Sequence, residues 1–286
     1  MKAPVTPVRT LRVEQGALAD HDDLLVTEEP LEIRVGHGPL DDRHEFRLSV
    51  TMRTPGHDEE LTIGFLLTEG LITGRSQLLR VAPCRHVRPD EEGNVVRAEL
   101  QPTVELDPLR WQRNFYTTSS CGVCGKSSLQ AIQVQRTGPL APTAPLDHAE
   151  LMRFPARMRA AQTVFEHTGG IHAAALFDRS GELVLLREDV GRHNAVDKVI
   201  GAVITEALDV AGSTLLVSGR AGFELVQKCV MARIPTMASV GAPSSLAVEL
   251  AKESGLRLIG FLRGERFNIY AESSGSMGGE QPGPHA

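Results

Sequence analysis

Apolar and polar residues alternate with a period of two through Leu31-Glu32-Ile33-Arg34-Val35 and again through Phe46-Arg47-Leu48-Ser49-Val50-Thr51-Met52. That period turns one row of side chains to a core and the other to solvent, the pattern of a half-buried strand. Residues 10–110 read as mainly β on this basis. One helix interrupts them: over residues 60–70, Leu61, Phe65 and Leu66 share a face and Gly70 can close the end. Thr137-Gly138-Pro139-Leu140-Ala141-Pro142-Thr143-Ala144-Pro145 reads as a linker. Residues 146–163 then read as a helix.

From about residue 170 the pattern changes to strands and helices in alternation. Strands over 173–177 and 182–187 are joined by the turn Asp178-Arg179-Ser180-Gly181. Asn194 can cap a helix whose apolar residues Val196, Val199, Ile200, Val203, Ile204 and Leu208 follow helical spacing. Strand 214–218, helix 224–234, strand 236–240, helix 245–254 and strands 257–262 and 267–271 follow. The fold class is α/β (α+β overall), with helices packed on a mixed sheet. The expected organisation is a β-rich region over 10–136, a linker over 137–145, an α/β domain over 146–272, and flexible tails at 1–9 and 273–286. No internal repeat is evident.

Composition narrows the function. The chain has 286 residues, 41% of them hydrophobic and 23% charged, and a formal net charge of -6. That balance argues against bulk binding to nucleic acid or an anionic membrane. No apolar run is long enough to span a bilayer, and the first residues lack the apolar segment of a secretory signal. Four cysteines are too few for a disulfide scaffold, so a reducing, cytoplasmic setting is expected.

Two of those cysteines stand together in Thr117-Thr118-Ser119-Ser120-Cys121-Gly122-Val123-Cys124-Gly125-Lys126. Lys126 and the small polar residues favour a thiolate. Gly122 and Gly125 suit a loop that presents its sulfur in more than one place. Three chemistries are open to such a pair. A structural zinc site would need a second pair, whereas Cys84 and Cys229 are isolated. A thioredoxin-type redox site would sit between a strand and a helix near the N-terminus. The third chemistry is sulfur transfer, in which one thiol carries the sulfur and the other receives or resolves it. Cys229 reads as a small core residue and Cys84 as incidental.

Further candidate chemistry gathers where strands end. His167 and His172 flank Gly169-Gly170. Asp189-Val190-Gly191-Arg192-His193 joins a strand to a helix N-terminus, a natural anion site in which Arg192 and His193 could hold phosphate with Asp189 orienting them. Capping and surface charge would explain the same residues. Ser218-Gly219-Arg220 and Gly241-Ala242-Pro243-Ser244 are similar junctions, though neither is a P-loop. Phe261-Leu262-Arg263-Gly264-Glu265-Arg266 is a turn between strands with two arginines. Four successive junctions of this kind on one sheet edge suggest a large phosphate-bearing ligand.

Taken together, these segments resemble the FdhD family, the formate dehydrogenase accessory sulfurtransferases. The resemblance runs from about residue 28 to 272. It rests on Met52-Arg53-Thr54-Pro55-Gly56, Gly64-Phe65-Leu66-Leu67-Thr68-Glu69-Gly70, the Cys121–Cys124 loop, His167-Thr168-Gly169-Gly170-Ile171-His172-Ala173, residues 188–198, Ser218-Gly219-Arg220 and Gly264-Glu265-Arg266-Phe267. It implies a cytidine-deaminase-like three-layer α/β fold for the C-terminal domain, and a homodimer. It implies transfer of persulfide sulfur from a cysteine desulfurase to a molybdenum or tungsten bis-pterin guanine dinucleotide cofactor, before that cofactor enters formate dehydrogenase. Cys121 would be the carrier and Cys124 its helper. Phe261, Leu262, Arg263, Gly264, Glu265 and Arg266 would lie in the guanine dinucleotide pocket. The deaminase zinc set is missing, since His172 is followed by Ala173 and Ala174, so no structural metal is expected. A chaperone that binds the cofactor without transferring sulfur is the alternative; a zinc hydrolase is a third class, testable by metal assay.

Overall fold

The computed structural model of the protein describes residues 2–106, 138–144 and 147–273. Cys121 and Cys124 lie outside the described residues.

The first element is a hairpin. β1 (Val5–Glu14) pairs in antiparallel register with β2 (Ala17–Val26). Gln15 and Gly16 both have positive φ, the requirement of a tight two-residue hairpin turn. The loose segment expected over residues 1–9 is therefore corrected from Val5 onward. Pro7 survives in the strand because it sits in a hairpin with an open edge, where a missing N–H is tolerated.

β3 (Glu29–His37), β4 (His44–Arg53), β5 (Leu78–Pro83) and β6 (Val95–Leu100) form a four-stranded sheet in the order β4-β3-β6-β5. Leu31, Ile33, Val35, Phe46 and Leu48 turn inward as their alternation predicts. α1 (Asp58–Thr68) follows β4 and packs on the inner face through Leu61, Leu66 and Leu67.

The second sheet has six strands in the order β12-β11-β10-β9-β7-β8. They are β7 (His172–Phe177), β8 (Leu183–Asp189), β9 (Thr214–Val217), β10 (Thr236–Ser239), β11 (Arg257–Arg263) and β12 (Arg266–Ala271). The central strands β9, β10 and β11 are parallel, whereas β7 is antiparallel to β8 and β9, and β12 to β11. Both faces are covered. Ala174, Leu176, Leu215, Val217, Met237 and Leu258 face one helical layer; Ala173, Ala175, Phe177, Leu216, Ala238 and Ile259 face the other. Alternation between two buried faces is why these strands read as almost wholly apolar.

The helix expected over 146–163 is instead α2 (His148–Leu151), α3 (Phe154–Ala161) and, beyond it, α4 (Thr163–Thr168). Pro155 restarts the chain in the first turn of α3, where a residue without an N–H is acceptable. Gln162, in a non-helical conformation, separates α3 from α4. On the opposite face lie α5 (Arg192–Glu206), α6 (Phe223–Met231) and α7 (Ser245–Ser254). The expected cap Asn194 lies inside α5, whose cap residue is Gly191. Residues 138–144 of the expected linker are tied down. Leu140 is buried and donates its amide to the Ser254 carbonyl at 2.8 Å, and Arg257 donates to the Ala144 carbonyl at 3.0 Å.

The two sheets meet through α1 and α5. A β-carbon on Gly64 would lie 1.9 Å from the Asp197 carbonyl oxygen, and one on Gly201 would lie 1.8 Å from that of Glu60. The helices therefore cross backbone to backbone, and one apolar core runs through both regions. Polar contacts flank the crossing. Arg187 donates to Glu60 through Nε at 2.6 Å and Nη2 at 2.9 Å. Buried Lys228 donates to both Asp197 carboxylate oxygens at 2.9 Å, and Thr68 donates to Asp197 at 2.9 Å.

Two outcomes are expected. Gly64→Ala or Gly201→Ala lowers stability by about 2–3 kcal/mol despite the better helix propensity of alanine, because backbone must move. Gly74→Ala, where nothing lies within 4 Å, stays within about 0.5 kcal/mol. Urea unfolding of the variants checks both. The second concerns acid. Burial opposes ionisation of Glu60, but the hydrogen bonds and charges of Arg187 and His57 outweigh it and hold its carboxyl at about 2 instead of 4.5. A carboxyl depressed in the folded state stabilises above its unfolded value and loses that stabilisation as pH falls from 4.5 toward 2. Melting curves should show that Glu60→Gln flattens this part of the acid limb and lowers stability at neutral pH.

Candidate functional site

Strand directions decide which ends meet. β8 runs opposite to β7, and β7 opposite to β9, so β8, β9, β10 and β11 all end on one edge. His172 opens β7 on that same edge. α5, α6 and α7 leave from the ends of β8, β9 and β10, so three helix N-termini, with their unpaired amides, gather there. The four junctions singled out in the sequence are brought together.

Hydrogen bonds extend the sheet past its strands and hold these junctions still. Ser218 Oγ accepts from the Ala173 amide at 3.0 Å. The Gly241 amide donates to the Gly219 carbonyl, Ser244 to Ala221, and Phe261 to Gly241, each at 3.0 Å. Close passage explains the glycine at 241, where a β-carbon would lie 3.0 Å from Arg220 Cγ and 3.1 Å from the Gly219 carbonyl oxygen. Phe261 has a φ of 54°, uncommon and costly for an aromatic residue, at an irregularity in the β11–β12 register. Its ring lies under the Arg263 guanidinium at 5.6 Å.

The arginines divide from the other candidates. Arg192 is half-buried, and Arg220, Arg263 and Arg266 are exposed. None of the four makes an ion pair among the described residues. Arg263 and Arg266 are also direct cross-strand partners, and like charges placed so are destabilising without a counter-charge. His193 is otherwise engaged: its ring Nε2 is 2.8 Å from Glu224 Oε2, bridging the first turns of α5 and α6. Burial works against the Glu224 charge, but the His193 hydrogen bond and the charges of His193, Arg192 and Lys228 hold its carboxyl below the usual range. Burial, then the charges of Arg192 and His193, push His172 below its ordinary value, so it is neutral at neutral pH. Leu262 is fully buried in the core facing α2 and α3, so its side chain is no part of the edge. Gly264 and Glu265 form the exposed turn.

Asp189 does something the sequence did not reveal. Its expected role was to orient Arg192 and His193. Its carboxylate is fully buried and accepts instead from the Thr54 amide at 3.1 Å, the Gly191 amide at 2.8 Å and the Asn194 side chain at 3.0 Å, with Lys198 Nζ at 2.7 Å. Lys198 also donates to the Thr54 carbonyl at 2.9 Å, and Asn194 to that of Met52 at 2.7 Å. The corner after β4 is thereby fixed to the edge of the second sheet where β8, β9, β10 and β11 end. Arg53, itself buried, braces this corner through two 2.9 Å bonds to Asp58. A buried lysine nearly two turns into a helix gives no signal in hydrophobic periodicity. The Arg53-Thr54-Pro55 segment within the family resemblance was the available pointer.

The described thiols are not activated. Burial drives Cys229 far above its ordinary range, and its Sγ lies 3.5 Å from the Ile234 carbonyl, in keeping with a core role. Burial also raises Cys84, against the opposing pull of Arg34 and Arg97.

Residues 26–276 match the model of the FdhD/NarQ family. The chain belongs to the FdhD/NarQ family. A sulfur carrier protein FdhD from Streptomyces coelicolor is 49% identical over 268 residues, covering 92% of each chain. One from Mycolicibacterium paratuberculosis is 49% identical over 269 residues, covering 93% of this chain and 96% of its own. The crystal structure of a chain from Desulfotalea psychrophila, described as a formate dehydrogenase accessory protein, superposes with a TM-score of 0.70 at 24% identity over 93% of this chain and 96% of that one. This last likeness shows a shared fold. Among the described residues no helix is long and apolar enough to cross a membrane.

The clamp at Asp189 makes a prediction for this FdhD/NarQ fold. Lys198→Met leaves a buried carboxylate uncompensated and should cost about 3–5 kcal/mol. Adding Asp189→Asn should recover part of that loss, as read by chemical denaturation.

Proposed function

We propose that the chain takes persulfide sulfur from a cysteine desulfurase onto Cys121 and delivers it to the molybdenum or tungsten bis-pterin guanine dinucleotide cofactor before that cofactor enters formate dehydrogenase. The observation that carries this reading is the edge bearing Arg192, Arg220, Arg263 and Arg266, each without an ion pair among the described residues, beside three helix N-termini. A pyrophosphate-bearing substrate supplies the missing negative charge, and arginine forks suit its oxygens. The relatives' name, sulfur carrier protein, supports the sulfur chemistry. Burial raises the pKa of Cys84 and Cys229, which supports reading Cys121 and Cys124 as the reactive pair.

Loading is a thiol exchange. The Cys121 thiolate attacks the outer sulfur of the donor persulfide, the donor S–S bond breaks, and the desulfurase cysteine leaves as a thiolate. For release, the Cys124 thiolate attacks Cys121 Sγ, hydrosulfide departs toward the metal substrate, and a Cys121–Cys124 disulfide forms. A cellular dithiol then reduces it. The working protein is a cytoplasmic homodimer on this reading.

Mass spectrometry after incubation with a cysteine desulfurase and cysteine should find one added sulfur on Cys121 and none on Cys84 or Cys229. Sulfur on either of those instead would overturn the assignment. Cys121→Ala should abolish activation of formate dehydrogenase while retaining nucleotide binding; full activation by this variant would leave binding alone as the function. Arg263→Glu with Arg266→Glu should weaken binding of a guanosine diphosphate probe at least about tenfold in calorimetry.

A further inference from the structure

The β1–β2 arm is outside everything used so far. All of it but Val26 precedes the family-matched residues 26–276. It belongs to neither larger sheet, and among the described residues β2 packs against α4. Leu11, Val13 and Leu18 are 64%, 65% and 69% exposed. A lone two-stranded hairpin is marginal in water. One carrying this much exposed apolar surface calls for a cover.

The register shows what cover fits. On one face the directly paired residues are Pro7 with Leu24, Arg9 with Asp22, Leu11 with Asp20, and Val13 with Leu18. On this face the two strands differ in charge: β1 carries Arg9, whereas β2 carries Asp20 and Asp22. A two-fold axis running along the arm lays β1 of one copy over β2 of the other. Three of the four rows then meet a complement, while the fourth sets Leu11 beside Asp20, the carboxylate that Arg9 already holds. Pro7 covers Leu24, Arg9 faces Asp22, and Val13 covers Leu18, twice each by symmetry. Arg9 already reaches Asp20 at 2.7 Å within one arm, so stacking adds a second carboxylate to each guanidinium. An antiparallel stacking of the same faces would set Asp20 against Asp22.

We propose that this arm is a clasp that docks face to face on the arm of a second copy of the chain. The proposal rests on the homodimer reading above and names a surface for it. Ten residues per strand give a face about 33 Å long and 10 Å wide. Two such faces bury roughly 600 Å², about half of what a standard stable interface needs. The clasp therefore adds to contacts between the bodies and does not replace them.

Sedimentation of the full-length chain tests it, with circular dichroism confirming the fold of each variant. Arg9→Asp and Asp22→Arg should each weaken dimerisation about tenfold, and the double swap should return it to within about threefold of the wild type. Val13→Glu with Leu18→Glu should weaken it more strongly. As a second measurement, mixing Val13→Cys chains with Leu18→Cys chains should give disulfides between unlike copies at these positions, identified by peptide mass spectrometry. A dimer whose strength ignores all four substitutions overturns the clasp and leaves sulfur transfer standing. A wild-type chain that stays monomeric at its highest soluble concentration overturns both the clasp and the homodimer.

Discussion

Two helix backbones touch where Gly64 fits against Asp197 and Gly201 fits against Glu60, a reciprocal arrangement one turn apart on each helix. Ordinary helix pairs stand about 8–10 Å apart because side chains fill the gap. Here the gap is closed, and the placement of the first sheet follows. At ordinary spacing Glu60 would lose Arg187, Thr68 would lose Asp197, and the corner at Thr54 would withdraw from Asp189. The edge where β8 to β11 end would then lose its contacts with the first region.

Buried charge completes what the crossing begins. Asp189 with Lys198, and Asp197 with Lys228, are ion pairs with almost no exposure. Such pairs add little stability over a well-packed apolar pair, because desolvation consumes most of the attraction. They are severe about arrangement, however. A shift of α1 along α5 would leave Thr68 and the Thr54 amide without their acceptors, and each unpaired buried group is costly. Apolar packing brings the two regions together, and the charges then select one register. That register sets the residues at the end of β4 beside the start of α5.

Much of the fold was legible in local periodicity. Alternation at Leu31, Ile33 and Val35 marks one buried face, and the spacing of Val196, Val199, Ile200 and Val203 marks α5. Relations between distant segments were less legible. Asn194 has the right chemistry for a cap, but Gly191 takes the position because the Asn194 amide is needed by Asp189 and Met52. Gly64 looks like a weak point in a helix until its neighbour is known. Leu262 sits within an edge segment, yet strand alternation sends it to the core while Arg263 points outward. The strand ends converge as expected, because the order of parallel strands follows from connectivity. The roles of single residues at that edge depend on contacts more than 100 residues away in the chain, as between Thr54 and Asp189.

The β11–β12 turn is the part of the edge that most supports the proposed function. A ladder position that sets Arg263 opposite Arg266 is electrostatically poor, and a left-handed Phe261 just before it adds backbone strain. Folding alone gains nothing from either feature, since neither arginine has a carboxylate partner among the described residues. Both features would be useful to the proposed phosphate-bearing substrate. The strained Phe261 hands its amide to Gly241 and brings its ring under Arg263, which fixes the direction of one guanidinium. The paired charges raise the positive potential where the amides of three helix ends already point. On the proposed function, a phosphate-bearing substrate would be held here by cancelling repulsion that exists without it. On that reading binding and local stability are coupled at this turn, and occupancy should tighten β11 against β12.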